Sequence, residues 1–130
     1  MDEFAIDSMD LGATKIKREW KHIDILIICT DFAVCIENKI FSREHSNQLE
    51  RYSKKVEKYY KDYESAYVYL TPTGESPERE EDRKLYSTYS YYEIIDSIET
   101  ILSIYSNIIP NIIFVLFVLI PFFVNFTLYC

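Results

Sequence analysis

The chain has 130 residues, enough for one small domain with its own core, and 12 Tyr and 8 Phe give it much to bury. A formal charge of −7, from 21 acidic and 14 basic residues, excludes general charge-driven nucleic-acid binding and leaves room only for a local basic face. Two glycines in the whole chain exclude a glycine-rich phosphate loop, and three cysteines with no CxxC pair argue against a disulfide scaffold or a structural zinc site.

Residues 1–12 are acidic, without a clean period, and read as a loosely ordered N-terminus. They lack an apolar signal-peptide region, so a cytoplasmic protein with reduced core thiols at Cys29 and Cys35 is expected. "ATKIKREW" alternates weakly and reads as a first strand ending at Trp20. "IDILII" and "DFAVCIENKI" read as the second and third strands, joined through "CTD" as a hairpin. "SREHSNQLERYSKKVEKYYKDY" repeats apolar residues at three- and four-residue steps (Leu49, Tyr52, Val56, Tyr59 or Tyr60, Tyr63) and predicts an amphipathic helix. "SAYVYLTP" is a fourth strand stopped by Pro72, "TPTGESPEREEDRK" a polar loop, and "YSTY" a short fifth strand. "SYYEIIDSIETILSIY" is a second helix, with Ser90 and Glu93 spaced as a capping box.

The pattern predicts an α/β domain over residues 13–106, with a central mixed sheet and flanking helices. From Ile108 to Cys130 no charge occurs, and residues 107–130 read as an apolar tail. The tail is long enough to cross a bilayer, but Pro110 and Pro121 interrupt it and no Lys or Arg flanks it. Three readings stand side by side. The tail is a C-terminal membrane anchor, a foreign tail on a truncated or frameshifted reading frame, or a segment covered by the fold or a partner.

The charges within the apolar strands are the candidates for chemistry. Side chains alternate along a strand, so Glu37 and Lys39 share one face beside Cys35, while Val34, Ile36 and Ile40 are expected to point into apolar packing. If the hairpin pairs as drawn, Asp24 on the neighbouring strand approaches Glu37. Two converging carboxylates beside an ammonium form a hard-oxygen site suited to Mg²⁺ or Mn²⁺, with the Asn38 backbone carbonyl as a third oxygen. Lys39 would then hold the attacking water or a developing charge. The plainer alternative is a surface ion-pair cluster. His22 and His45 read as ordinary polar surface residues.

Asp24 followed by Glu37-Asn38-Lys39 resembles the PD-(D/E)XK nuclease superfamily, in which an acidic residue precedes a (D/E)xK on the next strand. Gln48 and Tyr52, four apart on the predicted helix, resemble the QxxxY motif of its bacterial and phage branch. The resemblance implies a restriction-endonuclease-like fold and metal-dependent hydrolysis of phosphodiester bonds in DNA. It implies Asp24, Glu37 and Lys39 as the catalytic group, Gln48 and Tyr52 as supporting residues, and Asp7, Asp10 or Glu19 as an accessory acidic residue. Between Lys39 and Lys61 seven basic residues face three acidic ones. A basic helix with Arg43, Arg51, Lys54, Lys55 and Lys58 is therefore the expected nucleic-acid contact. Its alternative is a solvated face with pairs such as Glu50–Lys54 and Glu57–Lys61. At the level of function the alternatives are a catalytically inactive nuclease-like module binding DNA or protein, and a membrane-anchored fragment.

Overall fold

A computed structural model describes residues 13–40 and 47–105. The elements in chain order are strands β1 (Lys15–Trp20), β2 (Ile23–Ile28) and β3 (Phe32–Asn38), helix α1 (Gln48–Tyr59), strand β4 (Glu64–Thr71), helix α2 (Glu80–Leu85), strand β5 (Tyr86–Ser90) and helix α3 (Tyr91–Tyr105). Residues 1–12, Arg43, His45 and the apolar tail lie outside the described residues, as do the expectations that fall on them. Among the described residues no helix is long and apolar enough to cross a membrane.

The five strands form one sheet in the order β1-β2-β3-β4-β5. The first three make an antiparallel meander, whereas β3, β4 and β5 run parallel. Parallel neighbours need a crossover, and α1 and α2 supply the two that this sheet requires. The result is the mixed sheet with flanking helices expected of a restriction-endonuclease-like α/β fold. The backbone divides into two compact units at Ser90 and Tyr91. The first holds the sheet, α1 and α2, and the second contains α3.

The core lies between α1 and one face of the sheet. Leu49, Tyr52 and Val56 come from α1 at the expected helical spacing. They pack with Leu26 and Ile28 from β2, Ala33 and Cys35 from β3, Tyr67 and Tyr69 from β4, and Tyr86 from β5. Tyr86 donates its hydroxyl proton to the Leu49 carbonyl at 2.9 Å, which ties the first turn of α1 to β5. At the other end Trp20, Tyr60 and Tyr63 pack against the same core.

Three expectations need correction. Ala33, Cys35, Glu37 and Lys39 form the buried face of β3, while Val34, Ile36 and Ile40 are only half-buried. The cause is α1, which lies over the Cys35 and Glu37 face. The polar loop after β4 contains α2, a one-and-a-half-turn helix whose Asp82 is buried and whose Lys84 pairs with Glu80 at 2.7 Å. Finally, α1 ends at Tyr59, so Lys61 lies beyond the helix and sits 4.0 Å from Asp62 rather than pairing with Glu57.

Leu49 is fully buried and joins α1 to the sheet. Leu49→Ala should lower stability by about 2–5 kcal/mol, the range for emptying a closed core site. Urea denaturation followed by circular dichroism measures it, and a loss below about 1 kcal/mol would mean that α1 is not anchored through this residue.

Candidate active site

Antiparallel pairing places the start of β2 and the end of β3 at one edge of the sheet. The ladder pairs Ile25 with Ile36, so Asp24 and Glu37 are the next residues across. Alternation puts both on the face that also carries Leu26 and Cys35. The backbone there is fixed from two sides. Asn38 donates its amide proton to Asp24 Oδ2 at 2.8 Å, and Lys39 donates its own to the Leu70 carbonyl of β4 at 2.8 Å.

Helix α1 contributes the next layer. Gln48, its first residue, donates through Nε2 to Glu37 Oε1 at 2.7 Å and to Tyr52 Oη at 2.8 Å. Its Oε1 accepts from Lys39 Nζ at 2.8 Å, and Lys39 Nζ also lies 3.3 Å from Glu37 Oε1. One amide thus uses both ends to hold a carboxylate and an ammonium in fixed relation, and Tyr52, one turn on, holds the amide. Tyr52 is buried against the core, so this support is rigid.

Glu37 is 2% exposed, and its Oε2 has no hydrogen-bond partner. A buried carboxylate oxygen without a donor is costly. Burial pushes the Glu37 carboxyl up to about 7, the neighbouring Asp24 charge pushes the same way, and Lys39 only partly opposes them. Beneath it, burial pushes the Cys35 thiol up to about 12, which makes it a packing residue rather than a nucleophile.

The structure therefore brings together Asp24, Glu37, Lys39, Gln48 and Tyr52. Glu19 stands apart. It lies on β1 between the paired residues Arg18 and Trp20, is exposed, and has a left-handed backbone at φ 52°. Of the basic residues named on the helix, Arg51 is exposed, Lys54 is held by Glu50 at 2.6 Å, and Lys55 donates to the Lys21 carbonyl at 2.6 Å. Sequence reasoning missed Arg79. Its guanidinium donates to Asn47 Oδ1 at 2.8 Å and Glu50 Oε2 at 3.0 Å, bracketing Gln48. No local pattern signals a contact across some thirty residues of chain.

The two carboxylates are hard donors, and the bare Glu37 oxygen is one that a cation would satisfy. Among the described residues no group of three or more His, Cys, Asp or Glu side chains is placed to hold a metal ion. A divalent ion here would draw its remaining oxygens from the backbone or from water, as Mg²⁺ commonly does.

The raised Glu37 value carries a sign for stability. Its ionised form is disfavoured in the fold, so its contribution is fully present below the ordinary value of 4.5 and is lost as pH rises through about 7. In EDTA the protein should be less stable to urea at pH 8 than at pH 5, and Glu37→Gln should flatten that difference. An unchanged pH dependence in the variant would show that the loss comes from other groups.

A family model of the PD-(D/E)XK nuclease superfamily matches residues 2–116. No curated protein and no solved structure matches the chain. The matched stretch takes in all five strands, the crossover helices and the whole Asp24–Glu37–Lys39–Gln48–Tyr52 group. With most of the chain matched and a mixed sheet of the corresponding kind, this protein belongs to the PD-(D/E)XK nuclease superfamily.

Proposed function

We propose that the protein is a metal-dependent nuclease that hydrolyses phosphodiester bonds in DNA at the Asp24–Glu37–Lys39 group. The observation that carries the reading is the bare, buried Oε2 of Glu37 beside Asp24, with Oε1 of the same carboxylate already taken by Gln48 and Lys39. Tyr67 Oη and Asp82 Oδ2 are also buried without a hydrogen-bond partner among the described residues, but of the three only Glu37 Oε2 belongs to the Asp24–Glu37–Lys39 group. Asp24 and Glu37 would hold Mg²⁺ or Mn²⁺, with the Asn38 carbonyl as a further oxygen. When bound, such an ion supplies charge that polarises a phosphate and acidifies a water.

The chain's own residues have separate tasks. Lys39 positions the attacking water and meets negative charge as it grows on the phosphate oxygens. Gln48 keeps Lys39 in place and Tyr52, bonded to Gln48, keeps that amide from turning, in line with the supporting role expected of the pair. In the hydrolysis the water oxygen forms a bond to phosphorus while the bond to the leaving sugar oxygen breaks, and that oxygen takes up a proton. Basic residues of α1, together with Arg43 before it, meet the flanking phosphates.

Two measurements test this. Calorimetry with Mg²⁺ and Mn²⁺ should show binding to the natural protein and none to Asp24→Ala, Glu37→Ala. Unchanged affinity in the double variant would remove the site. Lys39→Ala should keep metal affinity, or raise it slightly because a nearby positive charge is gone, while cleavage of duplex DNA falls roughly 10²- to 10³-fold. Near-natural turnover would make Lys39 a structural charge only. DNA binding without cleavage in either metal would favour the inactive binding module instead.

A further inference from the structure

Beside the carboxylate edge the surface carries a cluster of lysines and aromatic rings in which only Lys55 and Lys58, on α1, have been given a role above. The turn between β1 and β2 is Lys21-His22, and both residues have left-handed backbones, at φ 52° and 72°. That is the two-residue hairpin geometry normally given to Asn and Gly. Here it is built from a lysine and a histidine, three and two residues before Asp24. Lys21 Nζ lies 4.4 Å from the ring centre of Tyr59 and 5.6 Å from that of Trp20. Trp20 and Tyr59 meet edge to face at 5.4 Å. Lys17 donates to Tyr60 Oη at 3.0 Å, Lys58 lies 5.8 Å from the Tyr59 ring, and Lys55 donates to the Lys21 carbonyl.

Two properties of this cluster point outward. First, Lys17, Lys21, Lys55 and Lys58 form no ion pair with a carboxylate among the described residues, a property shared with Lys15 at the far end of β1, whereas Lys39, Lys54, Lys61 and Lys84 are paired. Four unneutralised ammoniums on one surface repel one another, in a chain whose net charge is −7. The rings give each only a partial counterweight, through the electrostatic attraction of the ring quadrupole. Second, the cluster is continuous with the site. Lys55 sits 5.1 Å from the ring of Tyr52, whose hydroxyl holds Gln48. The lysines thus run on from the Asp24 edge, over the β1–β2 turn and the C-terminal half of α1.

We propose that this surface is a phosphate track: Lys17, Lys21, Lys55 and Lys58 hold successive phosphates of the DNA strand that leads away from the Asp24–Glu37 edge. The assignment rests on the nuclease reading and adds to it β1 and its turn as a second binding element. Trp20, Tyr59 and Tyr60 act as braces that hold the ammoniums up from the surface, so that little side-chain freedom is lost when a phosphate arrives. The acidic remainder of the protein repels the polyanion, and the track fixes one direction of approach.

Each phosphate contact releases condensed counterions, so the salt dependence of binding counts the contacts directly. The probe is a short fluorescein-labelled DNA duplex, followed by anisotropy in Ca²⁺ at several salt concentrations and checked on a gel to be intact. Lys17→Gln, Lys21→Gln, Lys58→Gln combined should reduce the slope of log K against log [salt] by about 3, roughly one per lysine. The same three positions changed to Arg should keep the slope, and Lys84→Gln, on α2 and paired with Glu80, should leave it unchanged. An unaltered slope in the triple Gln protein overturns the track while DNA cleavage by the natural protein leaves the nuclease reading standing. A slope lost equally in the Arg and Gln proteins also overturns it, because the lysines would then be packing residues. A natural protein that neither binds nor cleaves the duplex removes both.

Discussion

The organising constraint of this structure is a carboxylate that the fold buries next to another. Glu37 has almost no exposure to dilute its charge, and Asp24 stands across the ladder from it. Everything around the pair restrains this tension. The backbone amide of Asn38 engages Asp24, Gln48 and Lys39 engage one oxygen of Glu37, the β3–β4 pairing continues through the Lys39 backbone, and Gln48 accepts from the Lys39 ammonium. The apolar core serves the same end. Leu49 and Tyr52 bury one side of α1 and thereby fix Gln48, which lies on the neighbouring turn.

Seen from this pair, the mixed sheet has a plain rationale. An antiparallel hairpin is a short path that brings carboxylates of two neighbouring strands to one end and one face of the sheet. A parallel crossover is the shortest path that can lay a helix over that face with its N-terminal residue at the same edge. The chain uses the first for Asp24 and Glu37 and the second for Gln48. Arg79 then reaches from the start of α2 to both sides of Gln48, so the second crossover also bears on the first.

Much of this was legible in the sequence where a period or a spacing carried it. The strands announced themselves by short β-branched and aromatic runs, α1 by its three- and four-residue apolar steps, and the site by acidic residues placed inside apolar strands. The parts that were not legible depend on partners distant in the chain. Nothing in "FAVCIENKI" says which of its two faces α1 will cover, and the expectation that Val34 and Ile36 lie deepest followed hydrophobicity where the helix position decides. The six residues of α2 are too few and too polar to show a period. The lysines at positions 17 and 21 look like ordinary strand and turn charges until the fold sets them against rings forty residues away. The assignment of Gln48 to one helix face followed from spacing, but its double grip on Glu37 and Lys39 did not.

The order of the strands along the chain also bears on how the molecule assembles. The meander of β1, β2 and β3 closes through short loops, while β4 and β5 must wait for two crossovers, and contacts close in sequence form sooner than distant ones. Asp24 and Glu37 are therefore neighbours from an early stage of folding. Gln48 is only 11 residues from Glu37 and 9 from Lys39, so the amide that holds the site belongs with the early, local contacts rather than the late ones. What waits for the crossovers is the outer bracing: the bond from the Lys39 amide to the Leu70 carbonyl of β4, and the Arg79 contacts with Asn47 and Glu50 on either side of Gln48.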